Sequence, residues 1–526
     1  MRRILTASDR ALLVEEEDLP ATVRLLRALE AAALQGVEEL VPAARTVLVR
    51  FDPHAARAAE LREAIAALNP EEAKAGRARE HLIPVRYDGE DLEEVASLLG
   101  IAPDELARRH QAATWTVAFT GFAPGFGYLV GDDPIFDVPR RPSPRTRIPR
   151  GAVALAGRYS GVYPRESPGG WQLIGQTDVA MWDLGRERPA LLAPGDVVRF
   201  TDAAPGPASA SPTPETTGVL PAGDDARALR PALEVVTAGA QLLLQDLGRP
   251  GLAALGVSAS GAADRRALRE ANRAVGNPET AAGLEHAGGG AVLRARGPAV
   301  AAVAGAEVNA RIDGERGLRT VRAGEPFPLD DGDEVRIDRI LAGLRVVIAV
   351  RGGIALPSVL GSLASDTLAG LGPRPLRAGD VVPLRGSAYA TSAVDPHPAP
   401  VRNLPRPGEE AVLRVTLGPR DDWFSASAVR ALEHQAWTAT PHSDRVGIRL
   451  RGETPLERAR DGELESEGSV IGAIQVPPDG QPVLFLPDHP LTGGYPVIGA
   501  VIDDDLDLAG QIPPGATVRF RIVLRG

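Results

Sequence analysis

The chain has 526 residues, 44% of them hydrophobic, and 58 basic against 69 acidic side chains leave a net charge of −11. At roughly 150 residues per domain, that is about three or four domains with ordinary cores, and the acidic balance disfavours nucleic acid or an anionic membrane as partner. There is no cysteine, which excludes disulfides, thiolate nucleophiles and Cys-ligated zinc. Lys74, in the polar stretch EEAKAG, is the only lysine. A P-loop is thereby excluded, a lysine Schiff base is disfavoured, and no suitable lysine remains for attached biotin. Phosphate or carboxylate would have to be held by arginines and backbone N–H groups. No apolar run approaches the ~18 residues that span a bilayer. The opening MRRILTASDRALLV is too interrupted for a signal peptide, so a cytoplasmic location is expected.

Residues 1–80 alternate strand-like ALLVEE and TVLVRFDP with helix-like VRLLRALEAAAL and AARAAELREAIAALN, the pattern of a small α/β domain. A strand, HLIPVRYD, and two helices, DLEEVASLLG and APDELARRHQ, follow. Asp91 lies near the start of the first helix, and Pro103 and Asp104 fit the first turn of the second. In TWTVAFTGFAPGFGYLVG, the alternation of Trp115, Val117 and Phe119 predicts a strand leading into a Gly, Pro and aromatic loop. Gly125 and Gly127 only superficially resemble a dinucleotide fingerprint, because Pro124 and Tyr128 leave no suitable helix start. RRPSPRTRIPR then sets Arg140, Arg141, Arg145, Arg147 and Arg150 among prolines. Such a run is commonly solvated surface, but its position before a repeated element marks Arg145 and Arg147 as oxyanion ligands.

That element occurs twice. GAVALAGRYSGVYPRESPGGWQLIG (Gly151–Gly175) shares its opening and its Gly-Gly-aromatic close, Gly169-Gly170-Trp171, with the stretch from Gly472 to Gly499, whose close is Gly493-Gly494-Tyr495. Each copy precedes a Pro-Gly turn and a strand, PGDVVRF and PGATVRF, and related turns occur in DGDEVRI and AGDVVPL. A β-rich unit used more than once is expected.

Residues 203–231 are rich in Ala, Pro, Ser, Thr and Gly and predict a flexible linker between two halves. The second half opens with a strand ending in Gln245, Asp246, Gly248 and Arg249 and a glycine-rich loop. Ser258 or Ser260 is expected to cap a helix from near Ala262, with Asp264 in its first turn and Ala267, Leu268, Ala271 and Val275 as its apolar stripe. A glycine loop feeding a helix start is an anion site as readily as an ordinary cap. From 284 to 385, short strands and glycine turns predict a barrel or sandwich, and the Glu285-His286 pair reads as structural. After a Pro-rich break from Asp395 to Glu410, PHSDRVGIRLRG places Ser443, Asp444 and Arg445 on a turn, with Asp444 and Arg445 either pairing or facing a ligand. IGAIQVPPDGQPVLFLPD predicts a hairpin that delivers Asp488, His489 and Thr492 into Gly493-Gly494. The acidic run IDDDLD reads as a solvated turn, and no metal site is expected.

The motifs GFAPGFGYL, PSPRTRIPRGAVALAG and ESPGGWQLIG make the first half resemble the B subunit of bacterial ATP-dependent 5-oxoprolinase, also described as a sporulation kinase inhibitor. The second half, with QDLGR, GVSASGAAD, ANRAVGN, SDRVGIRL, GAIQVPPDGQP and LTGGYPVIG, resembles the C subunit, the antagonist of that inhibitor. Both are similar to the carboxyltransferase domain of urea amidolyase. The resemblance implies a B and C fusion, mainly β with α+β parts: a small α/β domain (1–80), a cyclophilin-like B domain (81–202), the linker (203–231) and two β-barrel units of the C-like half (232–394 and 395–526). It implies a component that opens the lactam of 5-oxoproline to glutamate with a separate A subunit, with ATP and Mg engaged through the complex and no covalent biotin. The alternatives are carboxyl transfer from a carrier in trans and a kinase-inhibiting binding module. The oligomeric state is left open. On this reading Asp264, Asp488, Thr492 and Ser260 are catalytic. Arg145, Arg147, Arg249, Gly125, Gly169, Gly170, Ser443, Asp444, Arg445, Gln475, Gly493, Gly494 and Tyr495 bind substrate or phosphate. Ala263, Leu363 and Leu491 depart from the family pattern.

Overall fold

The computed structural model describes residues 2–72, 78–203 except 142 and 144, and 231–523 except 396, 398–401, 461 and 463. Lys74 and nearly all of the expected linker lie outside the described residues.

At the N-terminus, Arg3–Ser8, Ala11–Glu15, Thr46–Phe51 and Val37–Pro42 form an antiparallel sheet in that spatial order. The two outer strands, RILTAS and VEELVP, escape sequence reading because neither carries a continuous apolar run. The helices Leu19–Ala32 and Ala58–Ala67 cover one face, packing Leu25, Leu29, Leu61 and Ile65 onto Leu12, Val14, Val47 and Val49. Asp18 caps the first by accepting from the Ala21 N–H at 2.8 Å. Alternation sends Leu13 and Leu48 to the opposite face, where they meet Val470, Phe485 and Leu491 from the far end of the chain.

The repeated motif builds the same strand path twice. One seven-stranded sheet runs Gln172–Gln176, Ala152–Ala156, Tyr159–Val162, Gly127–Gly131, Trp115–Thr120, Val197–Asp202 and Glu80–Val85, with an Arg86 to Gln176 bridge joining its edges. The second is a closed barrel of Val497–Val501, Ala473–Gln475, Val483–Phe485, Gly447–Arg451, Trp437–Ala439, Thr517–Ile522 and Glu410–Leu417. Position by position the order is the same, down to the one parallel pairing in each. Local chemistry repeats too. Gly151 and Gly472 sit at φ of +79° and +83°, and Gly195 and Gly515 at +87° and +86°, backbone that a side chain would strain. Trp115 Nε1 donates to His110 O at 2.9 Å and Trp437 Nε1 to Leu432 O at 3.0 Å, each fastening a buried indole to the end of a helix.

Between the barrels in chain order lies a sheet of different path, ordered Gln241–Gln245, Gly283–Ala287, Glu334–Val350, Ala291–Arg296, Ala232–Ala238 and Val381–Pro383, with Ala299–Asp313 paired along its longest strand. DGDEVRI and AGDVVPL belong to this sheet, so these turns recur without a third copy of the barrel path. The helix Arg265–Ala274 packs Ala267, Leu268 and Ala271 on Ala302, Ala304, Val347 and Ala349. The two halves join directly. Thr120 Oγ1 donates to Ala254 O at 3.0 Å and Gly125 N to Leu255 O at 3.0 Å, beside a cluster of Trp182, Val257 and Leu371.

If the two barrels are equivalent, Trp115→Phe and Trp437→Phe, which each keep an aromatic ring and lose the indole hydrogen bond, should destabilise by similar amounts, about 1–2 kcal/mol. Denaturant unfolding of both variants checks this; a large cost in one and none in the other would contradict it.

Candidate functional site

The two Gly-Gly elements face a single cleft of about 630 Å³ between the barrels. The first barrel contributes Phe122, Phe126, Tyr128, Tyr163 and Gly169–Trp171, together with Arg140 and Arg141; the second contributes Arg458, Ser466 and Thr492–Tyr495. The aromatic wall is braced edge to face, Phe126 lying 5.3 Å from Trp171 and 5.4 Å from Tyr163. Burial raises the pKa of both Tyr128 and Tyr163, so each presents a neutral hydroxyl at physiological pH.

Close approach explains the glycines. A Cβ on Gly169 would come within 2.5 Å of the Tyr163 hydroxyl, and one on Gly493 within 2.6 Å of Gln475 Nε2. Gln475 supports its loop from behind, donating to Tyr495 O at 3.3 Å. A Cβ on Gly121 would lie 2.4 Å from Thr492 Oγ1, so glycine there lets Thr492 reach the opposite barrel. Thr492 Oγ1 is buried and makes no hydrogen bond of good geometry, although the Tyr128 hydroxyl is close enough to interact with it. Arg458 donates to Val476 O at 2.8 Å and lies 6.0 Å from the centre of the Tyr495 ring.

The residues expected to act on a ligand divide sharply. Gly169, Gly170, Thr492, Gly493, Gly494 and Tyr495 are on the cleft, with Gln475 behind them. Asp488, Asp264 and Ser260 are not. Asp488 is fully buried and saturated, accepting from Arg445 Nε at 3.0 Å, Ser260 Oγ at 2.6 Å, Thr367 N at 2.9 Å and Thr367 Oγ1 at 2.7 Å. Burial acts upward on its carboxyl, yet the Arg445 guanidinium beside it holds it below the usual range. Arg445, also fully buried, reaches Glu285 and Gly261 O as well. It is the joint between the second barrel and the middle sheet. Asp264 caps the helix at Arg265, accepting from Ala267 N at 2.9 Å and from Gln511 Nε2 at 2.6 Å. The serines therefore do not cap it: Ser258 Oγ donates to Asp366 at 2.8 Å and Ser260 Oγ to Asp488.

Other expectations are corrected by their partners. Arg145 bonds Asp91 at 2.7 Å, and Arg147 is 76% exposed at its side chain and pairs with Glu166, so the run's cleft residues are Arg140 and Arg141. Arg249 is buried and donates to Ala364 O. Gly125, at φ +79°, serves the contact between the halves. Ser443 donates to Thr440 O at 2.8 Å, and Asp444 accepts from Val446 N and Gly447 N rather than pairing with Arg445. The IDDDLD run is a short helix, Asp503–Ala509, whose acids pair with Arg10, Arg265 and Arg414. Leu491 and Ser260 face a separate cavity of about 420 Å³ against the N-terminal sheet. Sequence reading missed Tyr163, Trp171, Arg140 and Arg458 as cleft residues; the aromatic density around the first Gly-Gly was the available signal.

Two barrels of one strand path, with a cleft between their Gly-Gly loops, match the family models described as carboxyltransferase domain, subdomain A and B, over residues 255–522, and carboxyltransferase domain, subdomain C and D, over residues 2–192. The chain belongs to this carboxyltransferase-domain family. Within it, the second half is similar to the 5-oxoprolinase C subunit of Escherichia coli (strain K12), 34% identical over 291 residues that make up 55% of this chain and 90% of the relative. The first half is similar to the 5-oxoprolinase B subunit of Bacillus subtilis (strain 168), 46% identical over 121 residues, 22% of this chain and 50% of the relative. A crystal structure of TTHA0988 superposes with a TM-score of 0.84 at 37% identity, covering 97% of this chain and 99% of that one, so a single chain there also spans both halves.

Asp366, beside the Arg445 network, is pushed up to about 6, by burial first and by the Asp488 carboxylate second. The folded chain therefore holds this proton more tightly than the unfolded chain. The stabilisation is complete below about pH 4 and is lost as pH rises through about 6. Relative to Asp366→Asn, the wild-type chain should lose stability between pH 4 and pH 7 in urea denaturation; a pH-independent difference would contradict this.

Proposed function

We propose that this chain is the combined B and C component of an ATP-dependent 5-oxoprolinase and acts with a separate A subunit. The observation that carries the reading is the convergence of the two Gly-Gly loops, one from the B-like and one from the C-like half, on one cleft with an aromatic wall and arginines.

5-Oxoproline is a five-membered lactam bearing a carboxylate, and the cleft offers a partner for each part. The aromatic wall fits the flat, partly apolar ring. Arg458 and Arg140 suit the carboxylate. The Thr492 hydroxyl and the glycine backbone, which can approach closely, suit the amide. A lactam carbonyl is a weak electrophile. Opening it requires water to add at the carbonyl carbon, the C–N bond to break and the nitrogen to take up a proton. The chain's share is to orient the ring and to aim donors at the oxygen where negative charge develops.

Mg·ATP does not fit this donor set. Among the described residues no carboxylate lines the cleft, and no group of three or more His, Asp or Glu is arranged to hold a metal ion. Mg·ATP is accordingly taken to engage through the complex with the A subunit rather than at this cleft. The match to carboxyltransferase models favours one second reading, carboxyl transfer from a carboxybiotin carrier supplied in trans to an amide nitrogen in the same cleft.

The deciding experiment combines the purified chain, with and without an A subunit, with ATP, Mg²⁺ and 5-oxoproline and follows glutamate and ADP together. Both products are expected only with all components present. Thr492→Val should then lower kcat/KM roughly tenfold or more, because it removes the cleft hydroxyl at nearly constant shape without touching the buried network. Absence of both products, with consumption of carboxybiotin carrier and urea, would replace this reading with the second.

A further inference from the structure

The equivalence of the barrels exposes a difference that neither copy shows alone. In the first, Gly89 N donates to Ile174 O and Asp91 N to Leu173 O; in the second, Gly418 N donates to Ile498 O and Arg420 N to Val497 O. Leu173 and Val497 each lie four residues after the first glycine of their Gly-Gly, so Asp91 and Arg420 occupy the same position. Each side chain receives an arm, a short strand paired antiparallel to the segment that carries the Gly-Gly. Arg145 stands opposite Gly169 on the first arm, and Glu467 stands opposite Gly493 on the second.

Both seats hold an ion pair, and the charges are reversed. Asp91, 2% exposed, accepts from Arg145 Nη2 at 2.7 Å, Arg141 Nη1 at 2.7 Å and Leu173 N at 2.7 Å. Arg420, 4% exposed, donates through Nε to Glu467 at 2.9 and 3.0 Å, and reaches Glu15 of the N-terminal sheet at 3.3 Å.

We infer that these reversed pairs are positioning residues of the cleft: each seats its own arm beneath its Gly-Gly loop, and the reversal bars each arm from the other barrel's seat. An exchanged arm would bring Arg145 to Arg420 and Glu467 to Asp91, two like-charge contacts, of which Glu15 offsets only the first and only in part. Two barrels of the same strand path present two seats of similar shape, and opposite polarity distinguishes them. The positioning role rests on the cleft being the working site, as proposed above; the seating does not.

The test uses the full chain. Glu467→Arg sets like charges at the second seat, and amide exchange across Gly468 and Thr492–Tyr495 should quicken at least tenfold. Adding Arg420→Asp and Glu15→Gln restores an attractive pair, and protection should return. Glu467→Gln, which keeps the shape of the side chain and removes its charge, should give an intermediate rate, and it decides the matter if Glu467→Arg does not fold. With the A subunit present, KM for 5-oxoproline should rise in Glu467→Arg and recover in the triple variant. Unchanged protection in Glu467→Gln, or a folded triple variant that still exchanges like Glu467→Arg, would overturn the inference. Protection is read without substrate, so an inactive wild-type cleft would sink the functional reading and leave this one standing.

Discussion

The fold of the second half depends on one buried guanidinium. Arg445 comes from the second barrel, and its partners come from three places: Asp488 from the loop before the Gly-Gly, Glu285 from the middle sheet and Gly261 O from the glycine-rich loop. Taking a cation and two carboxylates out of water costs several kcal/mol per ion unless every lone pair finds a donor. Here Ser260, Thr367 and the Ala263 N–H complete the set. The network has little to do with chemistry on a ligand, because none of its oxygens is free to take a proton or attack. It fixes where the strap from Asp488 to Thr492 begins, and so where the cleft's second wall stands.

Across the cleft the same logic is met with different parts. The first barrel holds its Gly-Gly loop from Asp91 and from the Tyr163 hydroxyl under Gly169; the second uses Arg420 and Gln475 under Gly493. In both, glycine is required by how near a supporting polar group comes. Duplication accounts for the shared strand path, and the partners diverged around it. The cleft is lopsided as a result: the first barrel brings a thick aromatic wall, and the second brings Thr492, Arg458 and Tyr495.

The three departures from the family pattern fall away from this cleft. Ala263 and Leu363 give backbone N–H groups to Glu285 and Asp246, and Leu491 packs toward the N-terminal sheet. They touch the joints between units rather than the walls that face a ligand.

Much of this was legible in the sequence because it is local. Alternation in Trp115, Val117 and Phe119 gave a strand, the Pro477–Gly480 turn gave a hairpin, and the recurrence of Gly-Gly-aromatic-x-x-Ile-Gly marked a duplicated unit whose two closes both reach the cleft. Composition alone set arginine and backbone N–H as the available anion ligands. What the sequence could not settle was the partner of each charge. Asp488, Ser260, Asp264 and Arg145 have the types and neighbours of catalytic or binding groups, but each is held by a partner, from 3 residues away for one bond of Asp264 to 247 residues away for its bond with Gln511. Whether a polar side chain is free or spent depends on contacts made only after the units pack, and those contacts decided which arginines face the cleft and which hold it together.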